Sequence, residues 1–296
     1  TKKDDDVICE IKQCSSKGAG ITGGDPVLVI ERTLRLIKLL KKKLGKDFHL
    51  HLYTPLNLVD EKRLKKLYMA GLDEIRFHPD VDSSKYWKNL SLAKDYDWDI
   101  GVEIPALPHK LKETKRLIDF IADKIDFLNI NELELSDNNF QSFEGLKFTP
   151  KDDISYAIKG SIDAAKKIAE HAKNKGLKNI HVCTATLKDK YQLRQRIKLR
   201  SKNAKKNYDI VTDEGMLIRG AIYFEKQNIQ KKGIEKIRAW LKKEFCVPNK
   251  LMEIDEERKR ILTRIDVVKT LKSELKKKKL KPAIVEEYPT HDCFPV

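Results

Sequence analysis

The amino-acid sequence predicts an α/β protein. Residues 1–206 read as a partial (βα)6-type parallel barrel with a polar lumen, and residues 207–296 as a small α+β C-terminal appendage. Three observations lead there. From residue 18 to residue 205 short apolar-rich runs alternate with amphipathic segments, as βαβ units do. Five of those runs have one aliphatic and one polar face. After Tyr208 the rhythm gives way to a strand–turn–strand and long charged stretches.

The strands are expected at 19–22, 48–54, 74–78, 100–104, 127–133 and 179–184. The first helix is expected to begin at Asp25-Pro26, a good N-cap followed by a residue suited to the first helical position. Val27, Ile30, Leu34, Ile37 and Leu40 then recur at helical spacing, and Gly45 closes the segment. Further helices are expected at 60–70, 84–94, 110–122, 154–174 and 188–205. In the appendage, 209–222 reads as two strands around an Asp213-Glu214-Gly215 turn, 232–244 as an amphipathic helix and 253–279 as a charged helix.

The strand faces carry the functional information. Phe48, Leu50 and Leu52 oppose His49, His51 and Tyr53. Ile75 and Phe77 oppose Glu74, Arg76 and His78. Val102 and Ile104 oppose Glu103, Leu128 and Ile130 oppose Asn129 and Asn131, and Ile180 and Val182 oppose His181 and Cys183. A parallel sheet covered by helices on both sides has two apolar faces. One polar face per strand therefore predicts helices on one side and a wet lumen on the other. Ligand groups in such folds gather at the C-terminal strand ends. Thr22, Tyr53, His78, Glu103, Asn131 and Cys183 lie at or near those ends. Glu103, His181 and Cys183 are the candidates for catalysis.

Gly18-Ala19-Gly20-Ile21-Thr22-Gly23-Gly24-Asp25-Pro26 joins the first visible strand to its helix. Paired glycines allow close approach to the backbone, and a following helix start offers free N–H groups. Its glycines span the strand instead of following it, so it is not a dinucleotide fingerprint, and no Gly-Lys-Ser/Thr makes it a P-loop.

Gly23-Gly24-Asp25-Pro26 after Ile21-Thr22 resembles the second strand of radical S-adenosylmethionine (SAM) enzymes, and the run of βα units over about 1–205 is closest to archaeal proteins related to pyruvate formate-lyase activating enzymes. The resemblance implies that Thr22, Gly23, Gly24 and Asp25 hold the SAM amino group. It also implies that Tyr53, Thr54, Arg76, His78 and Glu103 line the rest of its site. The cofactors it implies are SAM and a 4Fe–4S cluster, with an electron donor as partner. The sequence departs from the family in one respect: it contains no Cys-x-x-x-Cys-x-x-Cys loop. Its five cysteines, Cys9, Cys14, Cys183, Cys246 and Cys293, are scattered. The cluster cysteines and the first barrel strand are accordingly expected upstream of Thr1.

Composition narrows the remaining classes. Charged residues make up 36% and hydrophobic ones 40%, no apolar run is long enough to span a bilayer, and a cytoplasmic enzyme is expected. A net charge of +16 favours phosphate-bearing partners. Lys190, Arg194 and Lys198 at i, i+4, i+8, with Arg196 and Arg200 as a neighbouring row, form a candidate clamp for RNA or a phosphorylated substrate. A metal-dependent barrel hydrolase is the alternative, with His49, His51, His78, Glu103 and His181 as ligand types on one interior. Glu134 and Asp137, after the fifth strand, either face substrate or cap the next helix.

Overall fold

The computed structural model describes residues 4–135, 149–151, 156–224 and 231–296. The chain divides into two compact units, residues 16–190, and residues 1–15 together with 191–296.

The first unit is a partial α/β barrel. Six strands, β1 (Gly18–Ile21), β2 (His49–Thr54), β3 (Glu74–Phe77), β4 (Asp99–Ala106), β5 (Phe127–Glu132) and β6 (Asn179–Cys183), stand in sequence order, each parallel to the next. Each expected strand forms within a residue or two of its reading, because the alternation of faces is real. β2 alternates half-buried and buried along its whole length, and Leu50 and Leu52 are fully buried. Ile75, Phe77, Val102, Ile104, Leu128 and Ile130 continue the same apolar layer. Each such side chain contributes about 1.5–3 kcal/mol by leaving water.

Helices α2 (Ile30–Leu44), α3 (Glu61–Ala70), α4 (Leu111–Ile121) and α5 (Ser161–Asn174) cover that layer. Ile37 and Leu40 of α2, Leu64 and Leu67 of α3, Leu117 and Ile118 of α4 and Ile168 of α5 are buried at helical spacing. Asp60 caps α3 by accepting the Arg63 N–H at 2.7 Å. The helix expected from Asp25 begins five residues later, at Ile30. The Asp25 carboxylate instead accepts the Val27 N–H at 2.8 Å, a local turn that competes with helix initiation. The segment expected as a helix at 84–94 is a 3₁₀ stretch, Trp87–Asp95.

In the second unit, α1 (Asp4–Gln13) and α6 (Arg194–Ala204) accompany a five-stranded antiparallel sheet of order β11-β8-β10-β9, with β7 beside β8. Its strands are β7 (Ile210–Val211), β8 (Leu217–Phe224), β9 (Met252–Asp255), β10 (Arg260–Thr263) and β11 (Leu280–Glu287). The turn expected at Asp213-Glu214-Gly215 does join β7 to β8. The charged helix expected over 253–279 is replaced by β9, β10 and two short helices, α8 (Ile265–Thr270) and α9 (Lys272–Lys277), which follow α7 (Lys231–Phe245). The cause is visible at Arg260, 1% exposed in the middle of the sheet. It donates to Asp255 at 2.7 Å and to the Tyr223 hydroxyl at 2.9 Å, and pairs with Glu287 at 2.7 Å. Charges that neutralise one another inside the sheet look, in sequence, like a solvated helix. Among the described residues no helix is long and apolar enough to cross a membrane.

Candidate functional site

β1 ends at Ile21, in register with Leu52 of β2, so the loop that follows lies beside the end of β2. Gly23 and Gly24 adopt φ of 90° and 60°, the left-handed region that glycine enters without cost. A Cβ on either would meet no protein atom within 4 Å, so the conformation demands glycine while the backbone stays open to a ligand. Thr22, Gly23 and Gly24 are exposed. Asp25 is held from two sides, by the Val27 N–H and by the buried Thr54 hydroxyl, which donates at 3.3 Å. The structure thus brings Thr22, Gly23, Gly24, Asp25 and Thr54 together at the C-terminal ends of the first two strands.

A second group stands on the lumen face. Tyr53 stacks on His78, ring centroids 5.5 Å apart and nearly parallel, and its hydroxyl accepts from Arg76 at 2.7 Å. Arg76 also donates to Glu74 and lies 3.8 Å from Glu103. Glu103 accepts from Asn131 at 2.9 Å and from Asn129 at 3.3 Å. Burial, then the Glu103 charge, pushes the Tyr53 phenol above its ordinary value, so it remains a neutral hydrogen-bonding group. Deeper in the same face, burial and the Arg76 charge lower the His51 pKa and favour its neutral ring.

Of the catalytic candidates, Glu103 is central to this network. Cys183 ends β6 opposite Asn131, and burial raises its thiol pKa against the opposing pull of Lys188. His181, on the same edge strand, is exposed. Lys188 lies outside the expected site residues. It donates to Glu134 at 2.9 Å, and a lone lysine after a strand carries no signal of that pairing. Asp137 lies outside the described residues.

The five residues of the basic row differ in exposure and in partners. A π-helical stretch, Leu187–Leu193, interrupts the α-helical register that the i, i+4, i+8 spacing assumed. Lys190 and Arg196 are exposed and Lys198 is half-buried. Arg194 is paired with Glu214 at 3.3 Å. Arg200 is buried, donating to the Pro289 carbonyl and to Glu10. Of the five ligand types weighed for a metal-dependent hydrolase, only His49 and His51 converge, joined by Glu74. His78, Glu103 and His181 do not join them.

Residues 215–296 match a family model described as a domain of unknown function, DUF8061. A protein of Methanocaldococcus jannaschii named "Putative glycyl-radical enzyme activating enzyme" is 41% identical over 272 residues, covering 86% of this chain and 72% of that one. Among solved structures, a domain of a pyruvate-formate lyase-activating enzyme from Bacteroides vulgatus aligns at 14% identity and TM-score 0.41, over 56% of this chain and 98% of that one. A dipeptide epimerase from Enterococcus faecalis aligns at 12% identity and TM-score 0.40, over 69% and 49%. The identity to the Methanocaldococcus protein, sustained over most of both chains, shows that this chain belongs to the radical SAM family of glycyl-radical enzyme activating enzymes.

Proposed function

We propose that the chain binds SAM at the Gly23-Gly24-Asp25 loop and serves as the core of an activating enzyme whose substrate is a glycyl-radical protein. The observation that carries this reading is the Asp25 carboxylate. Two left-handed glycines precede it, and the Thr54 hydroxyl steadies it at the end of the neighbouring strand. An ammonium group needs acceptors, and a carboxylate beside an exposed stretch of backbone supplies them. The acceptor set therefore fits the amino end of SAM. The Tyr53, Arg76 and Glu103 network is assigned to the remainder of the ligand, Arg76 facing a carboxylate and Glu103 accepting from ribose hydroxyls.

SAM held there would supply radical chemistry, the removal of a hydrogen atom from a glycine Cα, once a separate electron donor had reduced it. The chain's own residues hold and orient it: Asp25 takes the ammonium group, and the stacked Tyr53 and His78 rings offer a flat aromatic surface.

The iron–sulfur cluster does not fit the residues present. Cys9 and Cys246 are exposed, Cys14 is buried and donates to Glu10, Cys183 ends β6, and the Cys293 thiol donates to the Thr290 carbonyl. Among the described residues no three cysteines converge. No step through a cluster is therefore derived from this chain.

The test is anaerobic. The full-length gene product is reconstituted with iron and sulfide, given dithionite and SAM, and 5′-deoxyadenosine is quantified. Cleavage that falls at least tenfold in Asp25→Asn, with the fold intact by circular dichroism, is the expected result. Absence of SAM binding and cleavage in the reconstituted wild type overturns the reading.

A further inference from the structure

The face of β2 that supplies Tyr53 also carries His49 and His51, nearer the start of the strand. The β2–β3 register sets His51 directly opposite Glu74, and the His49 Nε2 lies 3.1 Å from the Glu74 Oε2. The two imidazole centroids are 5.8 Å apart. One ligand atom from each of the three residues lies within 4.8 Å of the others. We propose that His49, His51 and Glu74 bind one divalent transition-metal ion of the zinc class, at the N-terminal end of the barrel lumen.

Five features of the site support this. Two imidazoles and a carboxylate are a ligand set that zinc accepts, at about 2.0–2.2 Å from each ligand atom. Tetrahedral bonds of that length set ligand atoms about 3.3 Å apart, so the observed spacing closes with small ring rotations. The His51 Nδ1 is buried and has no hydrogen-bond partner, although an unpaired buried polar atom costs about 1–3 kcal/mol. Gly20 on β1 makes room for this ring: a Cβ there would stand 2.5 Å from the His51 Nε2. Arg76 holds the other Glu74 oxygen, Oε1, and so orients Oε2 toward the histidines, as partners of metal ligands do.

The position indicates what such an ion would do. His49 opens β2 and Glu74 opens β3, whereas the Asp25–Thr54 contact is at the far end of β2. Five residue steps of strand lead from His49 to Thr54, about 16 Å at the usual rise. Groups at the N-terminal ends of barrel strands serve stability, not chemistry. The ion would clamp β2 to β3, with water completing its shell on the half-exposed His49 side. This inference does not rest on the SAM reading.

The test uses purified, chelator-stripped protein with its thiols alkylated, titrated with zinc chloride, and metal counted by mass spectrometry after desalting. One retained equivalent, with a higher melting temperature, is expected. His49→Ala and His51→Ala are each expected to lower affinity at least tenfold and to lose the thermal shift. If His51→Ala fails to fold, His49→Ala and Glu74→Gln carry the test, their fold checked by circular dichroism. A wild type that retains no zinc, or folded variants that bind it as well as the wild type, overturns the assignment.

Discussion

The Thr54 hydroxyl, buried at the end of β2, donates to the Asp25 carboxylate 3.3 Å away in the loop after β1. Two strands that share no sequence signal are tied at the point where the ligand is proposed to sit. Thr54→Val keeps the side-chain shape and removes this donor, leaving Asp25 held by the Val27 N–H alone. A hydrogen bond to a charged group contributes about 1.5–3 kcal/mol. SAM binding is therefore expected to weaken by tenfold or more, and the melting temperature to fall by a few degrees. Calorimetric titration of SAM into both proteins measures it.

Arg76 is the link between Glu74 and Glu103, donating to the first and 3.8 Å from the second. The two carboxylate side chains are 9% and 21% exposed. Arg76→Met leaves both without their cation, and breaking a largely buried pair costs about 3–5 kcal/mol. Urea unfolding should show that loss. The double variant Arg76→Met with Glu74→Leu should recover part of it, because no uncompensated charge then remains at position 74.

Cys183 offers a pH-dependent readout of the barrel's last strand. Burial raises its pKa, so at neutral pH the reactive thiolate is scarcer than for an ordinary thiol. Its alkylation rate by iodoacetamide should rise with pH to a midpoint above the usual thiol value. Lys188 opposes the shift. Lys188→Met should therefore move the midpoint further up and slow the reaction at any given pH below it. Peptide mapping of alkylated Cys183 across pH 6–11 measures both.

Much of this was legible in one dimension. The faces of 48–54 and 74–78 alternate because a strand repeats every two residues. That period by itself sets Tyr53, Arg76, His78 and Glu103 on one interior. Gly23-Gly24-Asp25 was legible for a different reason: only glycine takes up left-handed backbone freely, so its pairing marks a turn open to a ligand. The charged stretch 253–279 misled, because burial depends on partners far away in sequence. Arg260 is interior only because Asp255, Tyr223 and Glu287 converge on it.

The sequence by itself determined the alternation of elements, the apolar layer and the polar lumen, since each follows from periodicity along a single segment. It also determined the glycine loop, whose conformation is local. Only the tertiary structure decided which polar residues meet. Strand register sets Glu74 against His51 and Cys183 against Asn131, and chain folding buries Arg200 on Glu10 instead of leaving it for phosphate. Register and burial arise from pairings between distant segments, and no single segment encodes them.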